Sequence, residues 1–199
     1  MMPAVYNAAL TREQFLFPET RIVARLMDAG RTDEEIYRAV AEENLFQLPT
    51  EKSVRSLVRP CLRRLHGLAD AAAVHAIAAA PAATARQLVL YALMRDSRLV
   101  AQFLVTVVGE KYRTHDPRLS RADVRVFFLH LAEQSDQVAG WSEATVKKLI
   151  SVLMHVLVQS GYLAGPRART LAPVRLAPCV RDAIARHHDE WLLPAFQAE

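Results

Sequence analysis

The chain has 199 residues, 52% of them hydrophobic, with 25 Lys and Arg against 21 Asp and Glu for a net charge of +4. That length suffices for one or two domains with real cores, and the apolar content with its helical periods excludes a disordered chain. The most apolar stretches, residues 99–108 and 149–158, fall far short of the ~20 residues of a spanning helix, which excludes a membrane protein.

Residues 1–17 read as an irregular arm, with Tyr6, Leu10, Phe15 and Phe17 packing onto the first domain. The opening lacks the basic and apolar regions of a signal peptide. A short helix with Ile22, Val23 and Leu26 inward stops at Gly30. Thr32-Asp33-Glu34-Glu35 is a capping box that opens a second helix through Ile36, Tyr37 and Val40. Residues 45–49 form the turn before a basic helix that starts at Thr50. In it Val54, Leu57, Val58, Cys61, Leu62 and Leu65 make an apolar stripe, and Lys52, Arg55, Arg59 and Arg63 share one narrow sector beside it. Pro60 removes the amide that would bond the Ser56 carbonyl, so a kink or break is expected there. Three short helices with the last one basic amount to a helix-turn-helix-like domain over residues 1–80.

An Ala-rich helix from Leu68 to Ala80 leads to Pro81, the expected junction with a second domain over residues 81–199. Thr84 caps a helix to Asp96, a second apolar helix spans residues 99–112, and Asp116-Pro117 marks a loop. Ser120-Arg121-Ala122-Asp123 is another capping box, opening a helix with Val124, Phe127, Phe128 and Leu131 inward. Trp141 precedes a second basic helix with Ser142 at its N-cap. Val146, Leu149, Ile150, Leu153, Met154 and Leu157 form its stripe, and Lys147, Lys148, Ser151, His155 and Gln159 take the opposite face. Gly161 closes it. A turn through Gly165-Pro166 and the segment Thr170 to Leu176 predict a short β-hairpin, with Arg167 and Arg169 at its tip and Arg175 on its return. Residues 120–177 thus read as a winged-helix-like head. Pro178 opens a last helix carrying Val180, Ile184 and Trp191, ended by Pro194. The expected fold class is mainly α: two packed helical domains with helix-turn-helix character, the C-terminal one a winged helix with a short β-hairpin.

The two basic helices begin alike. Thr50-Glu51-Lys52-Ser53-Val54-Arg55 aligns with Ser142-Glu143-Ala144-Thr145-Val146-Lys147: a hydroxyl cap, Glu, a second hydroxyl three residues in, then Val and a base. Net charge is +4 over residues 50–67, +5 over residues 138–181 and −5 over the rest, an electrostatic footprint of nucleic-acid binding. The candidate DNA contacts are Lys52, Ser53, Arg55, Arg59 and Arg63 on the first head, and Ser142, Thr145, Lys147, Lys148, Ser151, Arg167, Arg169 and Arg175 on the second. Lys and Arg suit phosphates, and Ser142, Thr145 and Lys148 lie at the helix start, where base edges are met. Hydroxyls donate or accept indifferently, so weak sequence preference is expected.

Catalytic and metal chemistry have no foothold in this pattern. The six glycines form no phosphate-cradling loop, and the seven histidines fit no zinc-ligand spacing. No nucleophile stands beside a base, so no enzyme activity, cofactor or metal is expected. Cys61 and Cys179 build no disulfide framework, which fits a reducing cytoplasm.

Four stretches resemble the BrxA family, the small helical component of bacterial BREX phage-defence systems. They are Val40-Ala41-Glu42-Glu43-Asn44-Leu45-Phe46-Gln47, the helix from Thr50 through Arg64-Leu65, Val108-Gly109-Glu110-Lys111-Tyr112-Arg113, and Trp141-Ser142-Glu143-Ala144-Thr145-Val146-Lys147-Lys148-Leu149. Their order and spacing carry the likeness over nearly the whole chain. The resemblance implies an all-helical, non-catalytic accessory protein that binds double-stranded DNA beside a DNA methyltransferase, an ATPase and other defence factors. Two alternatives stand. One is an RNA-binding factor akin to helical antitermination proteins, disfavoured because the aromatics look inward instead of offering stacking surfaces. The other is a protein–protein adaptor, for which the apolar helices around Leu99–Val108 would present an exposed patch.

Overall fold

The computed structural model describes residues 5–196. Contacts divide them into two compact units, one of residues 15–96 and 177–183, the other of residues 5–14, 97–176 and 184–196. The units part between Asp96 and Ser97, and Pro81 lies inside the first of them.

In the first unit, α1 (Phe17–Asp28) has Pro18 in its opening turn, where a missing amide costs no helical bond. Gly30, at φ 78°, supplies the left-handed residue that ends this segment. The capping box opens α2 (Asp33–Glu42): the Glu35 amide donates to Thr32 Oγ1 at 3.3 Å and the Thr32 amide to Glu35 Oε2 at 2.8 Å. α3 (Glu51–Leu68) stays helical through Pro60, which corrects the expected break. Pro60 is buried among Val58, Cys61 and Leu62, so the packed face offsets one lost backbone bond. Ala69, at φ 48°, ends α3, and the Asp70 carboxylate caps α4 (Ala71–Ala79) by accepting from the Ala73 amide at 3.0 Å. The Ala-rich helix therefore starts beyond Leu68, because Asp70 is a better cap than anything before it. α5 (Ala82–Asp96) begins directly after Pro81, ahead of Thr84, and its residues 88–94 are all buried. α3 and α4 both pack on it.

The second unit takes up the arm. Tyr6 and Leu10 are buried, the Tyr6 hydroxyl donates to Gln102, and the Arg98 guanidinium lies 4.4 Å from the centre of the Tyr6 ring. A 3-10 turn, Ala9–Thr11, packs against the later basic helix. Residues 5–14 thus belong with the C-terminal half, a correction to the expected packing on the first domain; Phe15 and Phe17 alone serve that domain. The long apolar helix is composite: α6 (Arg98–Phe103), a π-helical turn (Leu104–Val108) and α7 (Gly109–Arg113). α8 (Arg121–Gln134) opens on its capping box, with the Ser120 amide donating to Asp123 Oδ2 at 2.7 Å. A single turn, α9 (Asp136–Ala139), leads to α10 (Glu143–Gln159).

No hairpin forms over residues 162–177. Among the described residues the ladder is one antiparallel bridge, Arg118 with Thr170, flanked by Leu119 N–H to the Arg169 carbonyl and Leu171 N–H to the Pro117 carbonyl, each 2.8 Å. Within the segment one rung survives, Ala172 N–H to the Tyr162 carbonyl at 2.8 Å. Pro166 and Pro173 have no amide to extend it. α11 (Pro178–Arg186) ends early, and after His188 at φ 54° a separate 3-10 segment, Glu190–Ala195, follows. No helix among the described residues is long and apolar enough to cross a membrane.

Candidate nucleic-acid interface

Each unit contains a helix opened by a capping box, a turn, and a basic helix packed against it: α2 with α3, α8 with α10. The starts of the two basic helices match in detail. The Ser53 amide donates to Thr50 Oγ1 at 3.2 Å, with the two hydroxyls 2.8 Å apart; the Thr145 amide donates to Ser142 Oγ at 3.2 Å, with the hydroxyls 2.9 Å apart. Ser53, Ser142 and Thr145 are therefore taken up in capping, and this narrows what their hydroxyls offer a base.

The helices differ in what their cations do. On α3, Arg63 is held by Asp96 through two bonds of 2.7 and 2.8 Å, and Arg55 by Glu51 one turn back at 2.9 Å. Lys52 and Arg59 are exposed without a hydrogen bond or ion pair among the described residues. Arg59 acts instead on Tyr37, whose phenol burial pushes up and the guanidinium pulls back. The groove between α2 and the start of α3 mixes Glu34, Glu42 and Glu51 with Arg38 and Arg55, a poor setting for phosphate.

On α10, Lys147 and Lys148 are exposed, and neither side-chain amine has a hydrogen bond or ion pair among the described residues. The helix is accessible mainly in its first half. Val152, Leu153, Met154, Val156 and Leu157 are buried, which leaves His155 as the exposed residue of that stretch. In the following loop the Arg167 and Arg169 guanidinium groups are exposed and equally without such partners, while Arg175 is exposed and engaged within the chain. Gln159, expected on the outer face, is half-buried at the closed end of the helix.

Two further cations join this face. Arg121 donates to Ser151 Oγ at 3.0 Å, linking the first residue of α8 to the middle of α10. Arg118, bridged to Thr170, projects beside the arginine loop with its side chain 84% exposed and Asp116 at 3.2 Å. Sequence reading missed both because their neighbours lie 30 and 52 residues away. The capping box does place Arg121 at a helix start, which is the one local signal. Among the described residues no cluster of His, Cys, Asp and Glu is arranged to hold a metal ion.

The BrxA family profile matches residues 4–188, nearly the whole length described above. The chain belongs to the BrxA family. Its similarity extends to three curated family members, each named BREX protein BrxA. The protein from Bacillus cereus (strain H3081.97) is 31% identical over 159 residues, 80% of this chain and 79% of its own. The one from Paramagnetospirillum magneticum (strain ATCC 700264 / AMB-1) is 24% identical over 96% of both chains. The one from Escherichia coli O9:H4 (strain HS) is 25% identical over 91% of this chain and 84% of its own. A crystal structure of an uncharacterized protein from Magnetospirillum magneticum has the same fold, with a TM-score of 0.79 at 24% identity over 96% of this chain and 97% of that one. The BrxA pattern thus spans both units.

Proposed function

We propose that this protein binds double-stranded DNA without doing chemistry on it, as a cytoplasmic accessory component of a BREX phage-defence system that works beside the system's methyltransferase and ATPase. The observation that carries the reading is the set Lys147, Lys148, Arg167 and Arg169: four exposed cations on one helix and the loop that follows, none tied up internally among the described residues. Unpaired cations side by side repel one another and suit an anion such as the phosphate backbone.

The order of parts supports a winged-helix mode. A helix (α6–α7), a bridging residue (Arg118), two helices (α8 and α10) and a returning basic loop follow in sequence, and the loop pairs back on Arg118 through Thr170. Of the sheet of that arrangement, Arg118 with Thr170 supplies a bridge among the described residues, and the loop takes the place of a hairpin wing. The N-terminal half of α10 would enter the groove, with Arg167 and Arg169 on the flanking backbone.

Counterion release gives the test. Each phosphate neutralised adds ~0.9 to the slope of log affinity against log salt on B-form DNA. Replacing Lys147, Lys148, Arg167 and Arg169 by Ala is expected to weaken duplex binding and flatten that slope by roughly 3 to 4. A variant that binds duplex as the parent does, at the same slope, refutes the proposal.

A further inference from the structure

A cleft of about 270 Å³ lies between α8 and the start of α10, and its lining is mostly apolar: Phe128, Val138 and Ile150 are buried in it and Val146 is half-buried. Trp141 lines it too, with its ring 6.3 Å from that of Phe128 and its indole N–H without a hydrogen bond among the described residues. Leu129, on the α8 side, is 60% exposed. Val126 lies three residues earlier and is 49% exposed, so the apolar surface continues out of the cleft along α8. The packed side of α8 is formed by Val124, Phe127, Phe128 and Leu131, and Val126 and Leu129 fall outside it.

The charges at the cleft are mainly positive. Arg125 and Lys147 line it from different helices; both are exposed, and neither side-chain cation has a hydrogen bond or ion pair among the described residues. Arg121, one turn before Arg125 on the same side of α8, bonds the neutral Ser151 hydroxyl and keeps its charge uncompensated. The acid in the lining is Glu143, whose place in the first turn of α10 suits the helix dipole.

We infer that this cleft docks an acidic segment of a different protein, one that inserts a large apolar side chain and sets Asp or Glu against Arg125 and Lys147. The pairing of chemistries chooses the occupant. Carboxylates complement the unpaired cations, and a polypeptide can carry them on either side of an apolar anchor. Nucleic acid would match the cations alone: its backbone is charged throughout and has nothing apolar to cover Leu129 and Val126. The cleft is small, so the contact falls below the ~1,200 Å² of a standard interface and is of the transient kind.

Trp141 reports on the cleft directly. The sequence has two tryptophans, so Trp191→Phe leaves Trp141 as the only indole emitter in the full chain. That protein is titrated with three short synthetic peptides: a Leu anchor flanked by Glu, the same anchor flanked by Lys, and the Glu peptide with Ser in place of the anchor. The expected result is a saturable change in Trp141 emission with the Glu-flanked anchor, and binding weaker by about tenfold or more for the other two. Arg125→Glu should reverse the order of the Glu and Lys peptides, and Leu129→Asp should weaken the Glu-flanked anchor by about tenfold or more. Both side chains are exposed, so unchanged circular dichroism separates lost docking from a lost fold. Emission that no peptide moves overturns the inference. So does a Lys-flanked or anchorless peptide that binds as well as the Glu-flanked one, or an order that Arg125→Glu leaves unchanged. A response to duplex DNA with none to the Glu-flanked anchor overturns it too and gives the cleft to nucleic acid. Neither variant removes Lys147, Lys148, Arg167 or Arg169, so the DNA reading and this one can fail separately.

Discussion

Gly109 opens α7, and a Cβ built on it would lie 2.7 Å from the Pro194 carbonyl oxygen and 3.0 Å from its carbonyl carbon. Both are backbone atoms of the Glu190–Ala195 turn, so there is no flexible side-chain end to move aside. Two effects oppose each other in Gly109→Ala. Helix propensity favours Ala by ~1 kcal/mol. Overpacking against a fixed backbone costs ~1–3 kcal/mol, and a separation well inside van der Waals contact belongs at the upper end. The net expectation is a loss of ~1–2 kcal/mol, or a melting temperature lower by about 2–8 °C in a chain of this size. Gly67→Ala is the control: it also sits in a helix, but its Cβ would meet nothing within 4 Å. There propensity acts alone, and the melt should hold or rise. Thermal unfolding by circular dichroism of the three proteins decides. Should Gly109→Ala melt at or above the parent, the close approach to Pro194 does not constrain the fold.

Asp96→Ala removes the carboxylate shared by Arg63 and Arg64; the Arg64 side chain is 1% exposed, so chemical denaturation should record a loss of about 3 kcal/mol, against ~1 kcal/mol or less for Arg63→Ala, which is 44% exposed. Tyr162→Phe should cost ~1 kcal/mol on the same assay, because its buried hydroxyl donates to the Ala195 carbonyl at 2.9 Å. Alkaline stability should fall from pH ~10 upward, where the unfolded chain ionises its tyrosines. The folded chain holds those protons longer, since burial pushes the Tyr112 phenol up to about 12 and Tyr162 well above its ordinary value. Phenolate absorbance that rises for all tyrosines near pH 10 in the folded protein would contradict this.

What the sequence made legible was local. Thr32, Ser120 and Ser142 announce helix starts because a capping hydroxyl acts within three residues, and each is found at that position. The parts that misled depend on distant partners. Arg63 falls in the same basic sector as Lys52 and Arg59, yet Asp96, 33 residues away, neutralises it. The arm offers Tyr6 and Leu10 to any apolar surface; the hydrogen bond to Gln102 and the stacked Arg98 decide for the second unit, and neither is visible in residues 5–14. Gly165-Pro166 does mark a turn, but the bonding partner of Thr170 is Arg118 across the unit, and two prolines leave too few amides for a hairpin. The exposure of Val126 and Leu129 on α8 was hidden for another reason. Reading Val124, Phe127, Phe128 and Leu131 as the inward face is right, and a period satisfied by one face draws no attention to Val126 and Leu129 on the other.

The matched starts of α3 and α10 imply equal roles, and the ion pairs imply unequal ones. Both helices have the same cap geometry and a capping-box helix packed against them, so either presents its first turns alike. Affinity for a polyanion depends on the cations free to release counterions. On α3, Asp96 withdraws Arg63 altogether. The Arg55–Glu51 pair is 70% and 64% exposed, worth only ~0.3–0.5 kcal/mol, so a phosphate can displace Glu51 at the expense of leaving its charge nearby. Lys52 and Arg59 remain. If the first head contributes at all, Lys52→Ala with Arg59→Ala flattens the salt slope by at most ~1.8, half the effect of the four substitutions on α10 and its loop. Arg63→Ala is expected to leave the slope alone, since that guanidinium already has its anion. A slope unchanged by the α3 pair makes α10 the sole reading head. A larger change from α3 than from α10 would mean that exposure without internal partners does not identify the DNA-binding cations.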